Sequence, residues 1–395
     1  MPGDDRMTVD ERRRYLKRMH GRYWAQDRKG RSRLLDEMEL YTGMHRKSLI
    51  RLLRADGLQR HPRRGGRGRA YGADVEYVVR VVWETLDYVC AERLTAGLLG
   101  TARHLSRFGE LTLTAEMEDK IGRISRSTVE RMIRGLPRQN WRLPRAVSEQ
   151  ANRLRAAVPM ERLPWSLTEP GYFEVDLVHH SGESAAGDYV YTLQMVDAAI
   201  GWSERVALLG RSQVAVETAF RRAKERLPYA IKGLHPDNGS EFFNNHLVRI
   251  WGTEITGLRL TRSRPYHKND NRFVEQKNGT LVRAYLGNYR LDTPGQTERL
   301  NALYDRMWVY YNLFQPVFRL ADKEIVNGHL RRSWDTPATP YQRLCATGAL
   351  APADRSRLDD ILAGTNPRAL RKEIYSRIER LWDEAAAFAA VRQSA

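Results

Sequence analysis

Apolar residues recur at helical spacing through the first third of the chain and then change to strict alternation, giving a helical front, a strand-rich middle and a helical tail. Residues 8–56 hold three helical patterns: a basic stretch from Thr8 to about Gln26, a second with Leu34, Leu35 and Met38 on one face, and a third with Leu49, Ile50, Leu52 and Leu53. The pattern resumes at Ala73 with Val75, Val78, Val79, Val82, Trp83 and Leu86. It closes on SRSTVERMIRGL, where Ser125 or Ser127 can cap a helix whose Val129, Met132 and Ile133 face inward. After Glu169-Pro170 the period becomes two, in FEVDLVHH, YVYTLQMVDA and WSERVALL, with glycine-containing turns between them. These segments predict an antiparallel meander. A helix near Gln213 to Arg226, a short strand IKGLH and a helix around Glu241 to Trp251 follow, so the middle reads as α/β with a mixed sheet. Beyond it, Gln296 to Leu313 predicts a helix whose Trp308, Tyr310, Tyr311 and Phe314 belong to packing, and the tail predicts two more helices, about Asp354 to Leu362 and Pro367 to Ala387.

Charge adds a partner to this outline. The 395 residues carry a formal charge of +18 and a pI near 10.0, and residues 1–70 alone hold 20 basic against 9 acidic side chains. Such an asymmetric excess implies a polyanion, and nucleic acid above all. The break at Thr42-Gly43 between two short amphipathic helices resembles a helix-turn-helix, which makes His45, Arg46, Lys47 and Arg51 candidate DNA readers on the second helix. The segment at 125–136 looks like a second such module, with Arg126, Ser127, Thr128 and Arg131 at its leading end. Between them, LQRHPRRGGRGRA holds no acid and cannot bury a core; it is a solvated linker or an arm in which Arg63, Arg64, Arg67 and Arg69 follow DNA. Cys90 and Cys345 stand far apart and suggest neither zinc nor a disulfide framework. With no apolar run of membrane-spanning length and no signal-peptide core, a soluble cytoplasmic protein is expected.

Three acids stand in contexts that suit chemistry. Asp176 ends the alternating run YFEVDLV, Asp237 follows a short strand and enters a glycine turn in HPDNGSEFF, and Glu275 opens a helix after the polar loop RPYHKNDNRF. Singly, each has a structural alternative: Asp176 and Glu174 alternate and either can be an exposed polar position, Asp237 can be a turn residue, and Glu275 can complement a helix dipole. Together, carboxylates without histidine suit hard divalent cations, which take oxygen ligands and serve phosphodiester chemistry as a pair about 3.5 to 4 Å apart.

In order and spacing, FEVDLV, TLQMVDAAIGW, HPDNGSEFF and PYHKNDNRFVEQKNGTL resemble the catalytic core of the retroviral-integrase-like DDE transposases of bacterial insertion sequences. The second and third acids are 38 positions apart, slightly more than the commonest family spacing, and HP precedes Asp237 where many relatives carry HS. The resemblance implies an RNase H-like core with a mixed five-stranded sheet, and a metal-binding and catalytic triad of Asp176, Asp237 and Glu275 holding two Mg²⁺, with Mn²⁺ as a substitute. Asn238 and Gly239 fit the turn that presents Asp237. Asn278 shares the helix face of Glu275 and suits a contact to DNA near the reacting phosphate, while Lys277 points elsewhere, to substrate backbone or solvent. Lys268 and Asn269 lie in a loop expected to order on DNA. Asp197 is expected to hold a turn, Asp270 is a loop acid not expected to bind metal, and His179, His180, His235 and His267 are expected to pack or touch substrate. WDTPATPYQRL resembles the Thr-Pro run after such cores, where a small β-rich or irregular module can contact DNA.

The organisation expected is therefore a helix-turn-helix domain at 1–57, a basic linker or arm at 58–72, a second helical module at 73–140, a linker at 141–168, the RNase H-like domain at 169–320 and a partly helical C-terminal region at 321–395. The activity implied is a DNA transposase that binds its element's terminal inverted repeats, cleaves 3′ ends and transfers them into target DNA, at least a dimer on double-stranded DNA. A catalytically silent helix-turn-helix regulator and a structure-specific nuclease of the same fold are the alternatives.

Overall fold

The segment FEVDLVHH lies at the centre of a mixed five-stranded sheet in this computed structural model, which describes residues 7–54, 70–136, 167–184, 186–236, 251–261, 271–326 and 329–393. The strands are β1 (Tyr172–His179), β2 (Val190–Asp197), β3 (Ser203–Leu209), β4 (Gly233–Pro236) and β5 (Arg259–Leu260), in the order β3-β2-β1-β4-β5. The first three form the predicted meander, with Asp176 paired to Gln194 and Gln194 to Arg205. β4 runs parallel to β1, and β5 parallel to β4.

Alternation assigns the two faces. Phe173 and Val175 point into a core with Val216, Ala219, Phe220 and Ala223 of the helix Gln213–Arg226. Val178, Val190 and Ala207 point the other way, onto Leu300, Leu303, Tyr304 and Met307 of the helix Pro294–Val309. That helix and the π turn Tyr310–Phe314 after it also serve β3, which among the described residues has a strand neighbour on one side only. Asn301 exchanges two hydrogen bonds of 2.9 Å with the backbone of Ala207, and Asn312 bonds both backbone groups of Ser203 at 3.0 and 3.1 Å. The aromatic run at 308–314 is buried, as its helical spacing predicts.

The packing divides the chain into two compact units, Met1–Ala70 and Tyr71–Ala395. In the first, α1 (Val9–Trp24) opens on a capping box between Thr8 and Glu11, α2 (Arg28–Thr42) closes on Gly43 at φ 62°, and α3 (Arg46–Arg54) follows. Leu16, Met19, Tyr23, Leu35, Met38, Leu49 and Leu53 form its core. Gly43 supplies the left-handed residue that ends α2 without a Cβ penalty.

The larger unit begins with α4 (Ala73–Thr85), α5 (Ala91–Arg107), α6 (Ala115–Gly122) and α7 (Arg126–Arg134), the last two joined by three residues and α7 capped by Ser125. These helices dock on the sheet-bearing part through polar contacts. Tyr310 donates to Thr85 O at 2.6 Å and Gln315 to Leu86 O at 2.9 Å. Asp87 accepts from Tyr285 at 2.5 Å, from Arg371 at 2.7 Å and from Tyr375 at 2.8 Å. The backbone there is unusual, with Asp87 and Tyr88 at φ 60° and 59°, a conformation uncommon for non-glycine residues.

The C-terminal region holds a hairpin, Leu320–Val326 with His329–Trp334, and then the helices Pro340–Thr347, Pro352–Gly364 and Pro367–Gln393. The β structure therefore precedes the Thr-Pro run instead of coinciding with it: Pro340 occupies the first turn of a helix capped by Thr339. Among the described residues, no helix is long and apolar enough to cross a membrane.

Candidate active site

The helix that carries Glu275 lies across the face of β1 on which Asp176 stands. On that face Glu174 and Asp176 precede Val178, and the short helix Arg272–Lys277 packs over β1 and β2 and continues into a π-helical turn, Asn278–Arg283. A π turn widens the helix locally and often marks a functional position. The first residue of this one, Asn278, donates its side-chain amide to Asp176 Oδ2 at 2.6 Å, while Asp176 Oδ1 accepts from Leu177 N at 2.8 Å. Asp176 is half-buried and Glu275 exposed. Asn278, expected to face DNA, is thus aimed at the first acid of the site.

Glu174 makes the second tie between strand and helix. Its Oε2 accepts from Phe273 N at 2.6 Å and Val274 N at 2.9 Å, the start of the helix that carries Glu275. The side chain is 0% exposed, so it is not the solvated strand position that alternation alone allowed. Burial pushes its carboxyl up to about 8; the two backbone donors and the charge of Arg272 pull the other way, and Glu275 adds to the rise. Sequence reading noticed Glu174 only as the neighbour of Asp176. The available signal was a glutamate between Phe173 and Val175 in an otherwise apolar run, on the same face as an acid assigned to chemistry.

The remaining site candidates divide into three groups. Asp237, Asn238, Gly239, Lys268, Asn269, Asp270 and His267 lie outside the described residues, as do Arg63, Arg64, Arg67 and Arg69. Pro236, the residue before Asp237, pairs with Val175, one position from Asp176. Lys277 has its ammonium 5.0 Å from the centre of the Tyr311 ring, an intramolecular contact where substrate or solvent was expected.

A second group holds structure together. Asp197 is buried and accepts from the backbone of Gly171, Ala199 and Ile200 at 2.7, 2.7 and 3.0 Å, and from Tyr229 at 3.1 Å. Burial still raises its carboxyl above the usual range. His180 is buried against Thr192 Oγ1 at 2.8 Å and is pushed down to about 3 by desolvation. His235 is buried beside Thr261 Oγ1 at 2.7 Å, and His179 is exposed beside Ser181 Oγ at 3.1 Å.

The third group comprises the candidate DNA readers. Lys47 and Arg51 are exposed on α3 and His45 is exposed just before it, whereas Arg46 is engaged by Asp36 and by Ser32 Oγ at 2.6 Å. On α7, Ser127 is exposed, Arg126 lies 3.3 Å from Glu92, and exposed Arg131 donates to Thr128 Oγ1 at 3.3 Å.

The chemistry of the donors suits a hard cation: Asp176 and Glu275 offer carboxylate oxygens from two elements fixed to one another, with no thiolate beside them. Among the described residues, no group of three or more His, Cys, Asp and Glu is assembled for a metal; the third acid of the pattern, Asp237, lies outside them.

Fold and site together define an α/β protein with a mixed five-stranded sheet, helical regions before and after it in the chain, and a short helix tied across the strand that carries Asp176. Over 342 residues, 86% of this chain and 96% of the relative, the sequence is 35% identical to the uncharacterized protein y4rM of Sinorhizobium fredii (strain NBRC 101917 / NGR234). The chain belongs to the same family as y4rM. No protein-family model matches it. Two solved structures are similar in part: the catalytic core domain of BIV integrase, at 17% identity over 45% of this chain and 95% of that one, and the HTLV-2 integrase catalytic core domain, solved with magnesium in a dimeric form, at 16% identity over 38% and 90%. Both have a TM-score of 0.28, too low to assign a fold by similarity.

Proposed function

We propose that the chain is a DNA transposase of the integrase-like DDE class, a metal-dependent polynucleotidyl transferase. The observation that supports this reading is the double tie between β1 and the helix bearing Glu275, through Glu174 at its start and through Asn278 to Asp176 just after its end. Asp176 and Glu275, with Asp237 by the motif pattern, would hold two Mg²⁺, and such a pair activates an attacking oxygen and stabilises a departing one. The protein's own part is to fix the carboxylates, which Glu174 and Asn278 do from opposite ends of the short helix. The basic helices of residues 1–57 and 73–140, with the arginines at 63–69, would bind the terminal repeats, and two ends require at least a dimer on DNA.

The test uses the purified full chain, labelled element ends, a target plasmid and Mg²⁺. Joined products are expected, and Asp176→Asn, Asp237→Asn or Glu275→Gln should each abolish them while leaving DNA binding intact. Binding without cleavage by the unmutated chain would overturn the reading in favour of a silent regulator, and cleavage without joining would favour a nuclease.

A further inference from the structure

We propose that Glu174 is the positioning residue of the site: bound to the amides of Phe273 and Val274, it sets where Glu275 stands relative to Asp176. The inference rests on the reading of Asp176 and Glu275 as metal ligands and adds a role for a third acid that does not itself reach the metal.

The first amides of any helix lack intrahelical acceptors and are usually satisfied by a side chain at the N-cap. Here the residue at that position, Asn271, makes no such bond, and its buried Oδ1 has no hydrogen-bond partner among the described residues. Glu174 supplies the acceptor instead, from a strand 99 residues away in sequence. One oxygen takes both amides, and Glu275 N then makes the first helical bond, 3.0 Å to Asn271 O. The Phe273 ring is held too, with the guanidinium of Arg272 at 4.5 Å and that of Arg319 at 5.2 Å from its centre.

The consequence is geometric. Glu174 and Asp176 are two residues apart on a strand, so their separation is fixed by the pleat. Glu275 is one residue beyond Val274, so it inherits its place from the amides that Glu174 holds. Asn278 closes the other end on Asp176 itself. A surface carboxylate could not fix a helix in this way, because water would compete for both amides. Complete burial removes that competition and makes the bond a register pin.

The experiment compares Glu174→Gln, which retains an oxygen acceptor, with Glu174→Met, which fills the space without one, in the full chain. The first readout is hydrogen exchange of the peptide 271–278 without metal or DNA. The second is Mn²⁺ affinity by electron paramagnetic resonance, and the third is end joining. For Met we expect faster exchange confined to that peptide, Mn²⁺ affinity lower by on the order of tenfold or more, as for partners that orient metal ligands, and joining reduced with DNA-end affinity unchanged. Gln should restore most of each. In a Glu275→Gln background the Met substitution should cost no further Mn²⁺ affinity, since Glu174 acts through Glu275. Unchanged exchange in Glu174→Met, or Mn²⁺ losses that simply add to those of Glu275→Gln, would overturn the proposal. Failure of the unmutated chain to bind Mn²⁺ or join ends would instead remove the proposed function, and the exchange readout would still test the pin. Should the Met variant not fold, Gln alone decides: native-like exchange and Mn²⁺ affinity support the pin, and tenfold loss in both overturns the acceptor role.

Discussion

Residues 8–54 and residues 73–136 are built alike, from amphipathic helices that end in a short basic helix, α3 or α7, of nine residues each. They differ in where their polar groups go. The first region closes on its own small core, and Trp24 donates to Leu53 O within it. The second gives the carbonyls of Thr85 and Leu86 and the carboxylate of Asp87 to side chains more than 195 positions further along the chain. Helical pattern and charge are properties of a segment, and they suggest two tandem recognition modules. Whether a module is separately folded or part of a larger body is decided by acceptors at its loops, which only distant donors reveal.

The largest expected effect tests that distinction at Asp87. Its ion pair with Arg371 is mostly buried, with side-chain exposures of 8% and 12%, and Tyr285 and Tyr375 complete the donor set. Removing one partner of a buried pair leaves the other charge unsatisfied and costs about 3–5 kcal/mol. Asp87→Ala should therefore lower the calorimetric transition of the larger unit by several degrees and leave that of residues 8–54 unmoved. An unshifted transition would mean that residues 73–136 are not held by this contact. Because Tyr285 follows the π turn that begins at Asn278, the same variant should also speed hydrogen exchange at 278–286.

What the sequence made legible follows the same division. The three alternating strands, the capped helix at 125–136 and the packing role of Trp308 to Phe314 were readable because each is set by local period or a local cap. That the helix bearing Glu275 should meet the strand bearing Asp176 was reachable through motif order. Glu174 was not, because a buried glutamate on a strand and an exposed one have the same spacing; only the helix that covers it tells them apart. Asp87 and Tyr88 escaped for a related reason: neither is glycine, so nothing local announces two left-handed residues. The hairpin at 320–334 carries a weak alternating pattern interrupted by charges, and it was displaced in expectation onto the Thr-Pro run.

An intermediate effect separates the units by pH. His180 is buried in the larger unit with its imidazole pushed down to about 3, against 6.5 for an ordinary histidine. A depressed folded-state value means that the unfolded chain binds the proton first. The stability from the neutral ring is therefore present above pH 6.5 and is lost as pH falls from there toward 3. At pH 5 this amounts to about 2 kcal/mol, from 1.36 kcal/mol per unit over the interval below 6.5. Glu174, raised to about 8 in the same unit, acts with the opposite sign over this range, so the His180 contribution is read as a difference. From pH 7 to pH 5 thermal melts should show the unmutated larger unit losing about 2 kcal/mol relative to His180→Gln, and residues 73–136 should unfold with it if they share its cooperativity. If probes in α4–α7 lose structure at a different temperature from probes in the sheet, the two parts are not one cooperative unit.

The smallest effect comes from two equivalent caps. Thr8 accepts from Glu11 N at 3.3 Å at the start of α1, and Ser125 accepts from Thr128 N at 3.3 Å at the start of α7. Replacing either by alanine removes one hydrogen bond to an orphan amide, worth about 1 kcal/mol. The local chemistry is the same, so any difference in outcome reports the size of the body that melts. A loss of about 1 kcal/mol moves the midpoint of a domain of 60–100 residues by roughly 4–8 °C, but that of one of 150–250 residues by only about 2–4 °C, because the larger body melts with the larger entropy. Thr8→Ala should thus shift the transition of the first unit by more than Ser125→Ala shifts that of the second. Thr8 N also donates the reciprocal bond of a capping box, to Glu11 Oε2 at 2.7 Å, which alanine leaves in place since it arises from the backbone. Equal shifts would mean that α7 melts in a body no larger than the first unit, and the docking through Asp87 would then have to be weak in solution.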